Sequence, residues 1–397
     1  MENKPDKNRQ ITDFESAFSE FGSNAATTAQ HIAVSSHKEH TARSIFWTIF
    51  GTIAEIVLTL GIICGLYVAW IQWWTGVESE RTQAAQRSSV SWSSVSSDKE
   101  TTIAKAQTEG DVPVQPTKAK AGELIAEIFI PRFGQQWSRN IVEGTDLAAL
   151  NEHGLGHYTD TQFPGAIGNA AFAGHRNGYG EPLGDIDKLQ EGDPIIVRTQ
   201  DYWYVYTFTS YKIVNPEDSY VVQPNPDNPG SAPTKRLITL TTCEPKYSTP
   251  IHRWIAFGEL KYWAKTADGI PEELAQKTAD GKVKFVNQGK TSVFAQLPSL
   301  IPVIQVALAV YVILFIAAAF VWRWPVRRAI REGSRRKPYW SIYGSLMRLH
   351  PGPTFVELLQ VLCIIVIVVA VLFQWVFPWM TGQIPYLRDM MAYTPME

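Results

Sequence analysis

The chain has 397 residues, 36 Lys and Arg against 38 Asp and Glu, and a formal net charge of -2. That balance excludes a chain-wide affinity for nucleic acid or other polyanions, and three cysteines exclude both a disulfide scaffold and a cysteine-rich zinc module. Hydrophobic residues make up an ordinary 45%, but they concentrate in charge-free stretches at 56–77, 291–322 and 358–387, longer than a soluble helix keeps free of charge. One globular unit plus membrane segments fits this length.

In chain order, residues 1–44 are polar and read as a cytoplasmic tail. Residues 45–75 carry Glu55 as their only charge and predict a transmembrane helix. The polar residues ahead of it and the length of its apolar run make it a retained anchor rather than a cleaved signal. Further spans are expected at 296–322 and 355–380. Trp47, Trp70, Trp73, Trp74, Trp322, Trp324, Trp340, Trp375 and Trp379 flank these blocks as interfacial anchors do. The loop at 323–354 holds Arg323, Arg327, Arg328, Arg331, Arg335, Arg336, Lys337 and Arg348 against Glu332 alone. The positive-inside rule places it in the cytoplasm, which puts the region between the first two spans outside and leaves 381–397 as a short extracellular tail.

Residues 76–121 are Ser-, Thr- and Pro-rich and predict an extracellular linker, as do 264–295, where Lys-Thr-Ala-Asp-Gly occurs at 265–269 and again at 277–281. One echo of five residues makes no solenoid. Between them, 122–263 forms one domain. Short β-branched and aromatic runs at 124–130, 170–173, 194–197, 202–208, 235–241 and 254–262, separated by turn clusters, predict a small β-barrel or sandwich. A short helix at 145–151, capped by Thr145, is also expected.

Cys64 and Cys363 sit inside apolar blocks as small hydrophobes, which leaves Cys243 alone in polar sequence. It ends Leu237-Ile-Thr-Leu-Thr-Thr-Cys243, an alternating run that presents its last side chain at a barrel rim; such a thiol is either an inert core group or reactive. A thiol nucleophile needs a proton acceptor, and His153, His157, His175 and His252 are the candidates. His175 ends a predicted strand and opens the Gly-rich Arg176-Asn-Gly-Tyr-Gly180 loop. Arg253 returns ten residues after Cys243 on the next strand, where its fork of donors suits a developing oxyanion.

This arrangement resembles the sortases. Ala173-Gly-His-Arg176, Thr239-Leu-Thr-Thr-Cys243 and Arg253 occur in that family's order and spacing. Ile130-Pro-Arg132, Val142-Glu-Gly144, Gly156-His-Tyr158, Pro164-Gly-Ala-Ile-Gly-Asn169 and Leu189-Gln-Glu-Gly-Asp193 are similar to class E sortases of actinobacteria, as is Gly51-Thr-Ile-Ala-Glu55 in the N-terminal anchor. Glu244 stands where many class E members have histidine, and the two C-terminal spans lie outside the minimal catalytic domain. The resemblance implies a mainly β fold: a closed eight-stranded sortase-type β-barrel with short helices, tethered by one N-terminal and two C-terminal transmembrane helices.

It also implies a cysteine transpeptidase that cleaves Leu-Ala-x-Thr-Gly or Leu-Pro-x-Thr-Gly sorting signals after threonine and joins the acyl group to a cell-wall amine such as that of lipid II. Cys243, His175 and Arg253 are the implied catalytic residues, and Tyr158 and Thr242 the implied substrate-binding residues. No cofactor and no metal ligand set is expected. The implied partners are surface proteins with C-terminal sorting signals and membrane lipid, with the enzyme a multi-pass membrane protein whose catalytic domain is extracellular. Three alternatives stay open: a pilin-polymerising class C sortase, although 81–121 contains no Asp-Pro-aromatic lid motif; a cysteine peptidase using water as acceptor; and a non-catalytic adhesin or sensor with a β-barrel head.

Overall fold

The computed structural model describes residues 45–92, 101–277, 282–285, 294–334 and 340–387. The N-terminal tail, the Ser-rich middle of the first linker, most of the second pentapeptide, Arg335, Arg336, Lys337 and the final residues lie outside the described residues.

Three helices among the described residues are long and apolar enough to cross a membrane. The first, α1, is Ile45–Ser89, with a π turn at Trp70–Trp74. It continues 14 residues past the expected end of the span at residue 75, so the expected linker begins as helix. The reason is a face that reads as solvent-facing in sequence. Thr75, Ser79 and Gln83, spaced one turn apart, are buried and hydrogen-bonded against the domain that follows.

That domain is a closed barrel of eight strands: β1 Leu124–Phe129, β2 Ser138–Glu143, β3 Leu155–His157, β4 Gly168–Gly174, β5 Pro194–Arg198, β6 Tyr202–Val214, β7 Arg236–Glu244 and β8 His252–Lys265. Their order around the barrel is β1-β2-β3-β4-β7-β8-β6-β5. β2 is too mixed in composition, and β3 too short, to stand out in sequence. The expected short helix, α2, is Leu147–His153, and its cap is Asp146, whose side chain accepts from the Ala149 N–H at 2.8 Å, rather than Thr145. Alternate side chains such as Phe172, Ile195, Tyr204, Tyr206, Ile238, Leu240 and Ala256 fill the interior.

The second linker also belongs partly to the fold. Trp203 and Val205 of β6 face outward and would be stranded in water. Ile270, Leu274 and Phe285, with Ala104 from the first linker, cover them. β9 Ala275–Lys277 pairs with β10 Val283–Phe285 beside this cover. The remaining helices are α3 Ile301–Val321, α4 Pro325–Arg331, α5 Ile342–Leu349 and α6 Thr354–Gln383.

The chain divides into two units: 1–64 with 305–367, and 65–304 with 368–397. Within the first, a Glu55 carboxylate oxygen accepts the Ile342 N–H at 2.6 Å, capping α5. Within the second, Trp70 and Trp74 pack on Phe377 and Phe373 rather than standing open as interfacial anchors.

Candidate active site

The site follows from strand parity and register. On β4, Ala171 and Ala173 point to an outer-face cluster, and Ile255 and Phe257 of β8 do the same, with Cys243 of β7 packed against them. β4 runs parallel to β7 with Ala173 opposite Thr241, and β7 runs antiparallel to β8 with Cys243 opposite Arg253. Continuing the first register by two residues sets His175 beside Cys243. The three residues therefore form a row on one face of three adjacent strands, about 5 Å from strand to strand.

His175 is only 1% exposed. Its Nε2–H donates to Asn151 Oδ1 at 2.7 Å, and the Tyr179 ring lies over it at 4.9 Å between centroids. The carbonyl acceptor selects the Nε2–H tautomer and leaves Nδ1 as the free base. Burial pushes the His175 pKa down to about 4. Burial also pushes the Cys243 thiol up, opposed first by the charge of Arg253 and then by that of Arg176. At neutral pH the pair is accordingly thiol and neutral imidazole.

A cleft lined by His175, Arg176, Asn177, Cys243, Pro245, Lys246, Ser248 and Pro250 opens over this row. Arg176 pairs with Glu244, lies 3.5 Å from Asp187 and stacks on Trp254 at 5.0 Å. Glu244 thus neutralises a cation close to the thiol, which is the consequence of carrying an acid there instead of histidine. Arg253 is buried behind the cleft, with Nη1 donating to the His252 carbonyl at 3.1 Å.

The other candidate histidines stay outside the cleft lining. His157 is fully buried and its Nδ1–H donates to Glu143 at 2.8 Å, while His153 ends α2 and His252 sits opposite Glu244. Tyr158 lies in the same outer-face cluster as Cys243, its hydroxyl 3.0 Å from Thr241 Oγ1, and does not line the cleft. Thr242 is turned to the opposite face from Cys243, and its hydroxyl donates to the Gly174 carbonyl at 2.7 Å, tying β7 to the end of β4. Asn151, Arg176 and Tyr179 join the site only in the tertiary structure. Proximity to His175 in the Gly-rich loop was the available signal for Arg176 and Tyr179; Asn151 had none.

A family model for the sortase domain matches residues 128–261. The chain is 32% identical to sortase SrtE1 of Streptomyces coelicolor over 231 residues, which is 56% of this chain and 60% of that relative, short of two thirds of its length. It is 31% identical to sortase SrtE2 of the same organism over 218 residues, 52% of this chain and 80% of the relative. Among solved structures, the SrtA sortase from Actinomyces oris shares 38% identity, covering 43% of this chain and 96% of that one with a TM-score of 0.41. With four fifths of SrtE2 matched at that identity and a closed eight-stranded barrel carrying the Cys243 row on its outer face, the chain belongs to the sortase family, with class E sortases among its relatives.

Proposed function

We propose that this chain is a membrane-anchored cysteine transpeptidase that cleaves a sorting signal between threonine and glycine and passes the threonyl acyl group to a cell-wall amine. The observation that carries the reading is the row of His175, Cys243 and Arg253 on one outer face beneath a cleft. Cys243 Sγ attacks the threonine carbonyl as its proton moves to His175 Nδ1. The Thr–Gly bond breaks, the imidazolium protonates the departing glycine amine, and a thioester remains. An incoming amine attacks the thioester, gives its proton to His175 and releases the thiol. Arg253 supplies donors and positive charge for the oxyanion in both steps.

Reference pKa values of about 8.5 and 6.5 would leave about 1% of the resting enzyme as the thiolate–imidazolium pair. The shifts at Cys243 and His175 both lower that share. The thiolate therefore forms mainly during attack, and the enzyme is slow. Tyr158, whose hydroxyl meets Thr241 two positions before Cys243 on β7, is proposed to read the second signal residue and to favour Leu-Ala-x-Thr-Gly. Alanine keeps a backbone N–H that proline lacks, and an acceptor built for it is left unpaired by proline. Thr242 acts on the peptide indirectly, by holding the end of β4. The Arg-rich stretch after α3 faces the cytoplasm, which sets the barrel outside.

The test is incubation of the full chain in detergent micelles with a Leu-Ala-x-Thr-Gly peptide, with and without triglycine, read by mass spectrometry. A ligated product is expected from wild type and none from Cys243→Ala or His175→Ala, with most turnover lost in Arg253→Lys because a point charge cannot replace a two-pronged donor. Retained turnover in Cys243→Ala would sink the enzyme reading, and a product formed only with water would make it a peptidase.

A further inference from the structure

The polar end of α1 bonds Tyr179, which lies over the His175 ring, and Glu152, the neighbour of Asn151. Thr75 Oγ1 donates to the Ile71 carbonyl and accepts the Tyr179 N–H at 2.8 Å. Tyr179 has φ 51, a left-handed conformation that a non-glycine residue keeps only when its surroundings impose it. Next to it the backbones of Gly76 and Gly180 close together, such that a Cβ on Gly76 would come within 3.0 Å of Gly180 Cα. This turn sets the Tyr179 ring over His175. One helical turn along, Ser79 Oγ donates to the Glu152 carbonyl at 3.3 Å, on α2 beside Asn151, whose side chain accepts from His175.

We infer that residues 75–79 of α1 are positioning residues for the catalytic histidine, so that the helix leading out of the first apolar segment is part of the active-site framework rather than a tether. The inference rests on the transpeptidase reading of His175. Strand register places the Cα of His175, since it follows β4 directly, but ring orientation depends on what lies on either side of the ring. Tyr179 lies over it and Asn151 holds Nε2; Tyr179 and Glu152, the neighbour of Asn151, are each hydrogen-bonded to one face of α1 by groups spaced four residues apart. A chain lacking that face keeps the row of three residues and loses the fixed direction of Nδ1.

Thr75→Val in the full chain removes the acceptor for the Tyr179 N–H while keeping volume, and Thr75→Ser restores it. Gly76→Ala crowds Gly180 without deleting a hydrogen bond and serves if Thr75→Val fails to fold. Gln86→Ala, about three turns beyond Gly76 on α1, breaks 3.0 Å bonds to the Gly122 carbonyl and from Asn140 Nδ2 and controls for general loss of helix docking. With the Leu-Ala-x-Thr-Gly peptide and triglycine, Thr75→Val and Gly76→Ala should each lower kcat about tenfold with KM within about twofold, since misplaced general acid–base groups cost turnover and not ground-state binding. Thr75→Ser should recover most of the loss, and Gln86→Ala should keep kcat even where its Tm falls as far. Wild-type kcat in Thr75→Val, or kcat losses that track Tm equally in Thr75→Val and Gln86→Ala, would overturn the inference and leave the transpeptidase reading standing. A wild-type chain with no amine-dependent product overturns both.

Discussion

Replacing His175 with glutamine should remove much of the acid sensitivity of the barrel's stability. The imidazole is buried, and loss of hydration pushes its pKa down to about 4. In the unfolded chain it titrates near the ordinary value of about 6.5. Between those values the unfolded state binds a proton that the folded state refuses, so stability is full above about pH 6.5 and is lost as pH falls toward about 4. The whole interval is worth roughly 3 kcal/mol, of which about 2 kcal/mol is gone by about pH 5. For a domain of this size that corresponds to a fall in Tm of about 6–8 °C. Glutamine keeps an N–H for Asn151 Oδ1 and cannot titrate. The assay is thermal unfolding of the full chain in micelles, followed by tryptophan fluorescence at neutral pH and near pH 5, in wild type and His175→Gln. Comparing the two acid-induced changes cancels every other carboxylate and histidine. An equal loss of Tm in both proteins, or a larger one in His175→Gln, would refute the argument that the imidazole is held neutral by burial.

Glu244→Gln removes the carboxylate that pairs with Arg176, leaving more positive charge beside Cys243. At roughly 8 Å and an effective dielectric of about 40, one uncompensated charge is worth about 1 kcal/mol, so the thiol pKa should drop by somewhat under one unit. Iodoacetamide alkylation against pH, with Cys64 and Cys363 replaced by alanine, reads it; an upward move would contradict the assigned field. Tyr158→Phe should narrow the preference for Leu-Ala-x-Thr-Gly over Leu-Pro-x-Thr-Gly by about 1 kcal/mol, roughly fivefold in kcat/KM ratios. Equal losses for both peptides would return Tyr158 to a packing role. Thr242→Val, which strips the donor to Gly174 while keeping shape, should cost about 1 kcal/mol of stability in denaturant titration and lower turnover; unchanged values on both counts would discount the strut. Protease added to intact cells should spare Arg327, Arg328 and Arg331, and cleavage there would invert the orientation.

Much of this protein is legible in its sequence. The three apolar stretches announce themselves because a membrane's thickness sets a minimum length that soluble helices rarely reach without charge. The alternation through Leu237-Ile-Thr-Leu-Thr-Thr-Cys243 and the return to Arg253 define a hairpin, and with it the Cys243–Arg253 pair, since strand period and loop length are local properties. The run Tyr202-Trp-Tyr-Val-Tyr206 signals a strand, which the structure buries on both faces. What covers its outer face, however, comes from isolated residues such as Ala104, Ile270 and Phe285 in polar sequence, which have no period to betray them. The placement of His175 beside Cys243 rests on a parallel pairing of β4 with β7, strands distant in sequence, and local pattern carries no information about which distant strands pair. The burial of Thr75, Ser79 and Gln83 was the least visible feature. A helix face of small polar residues reads as solvated until a partner surface supplies its hydrogen bonds, and only the tertiary structure shows that here the partners are Tyr179 and Glu152, beside the groups around His175, and Asn140 of β2.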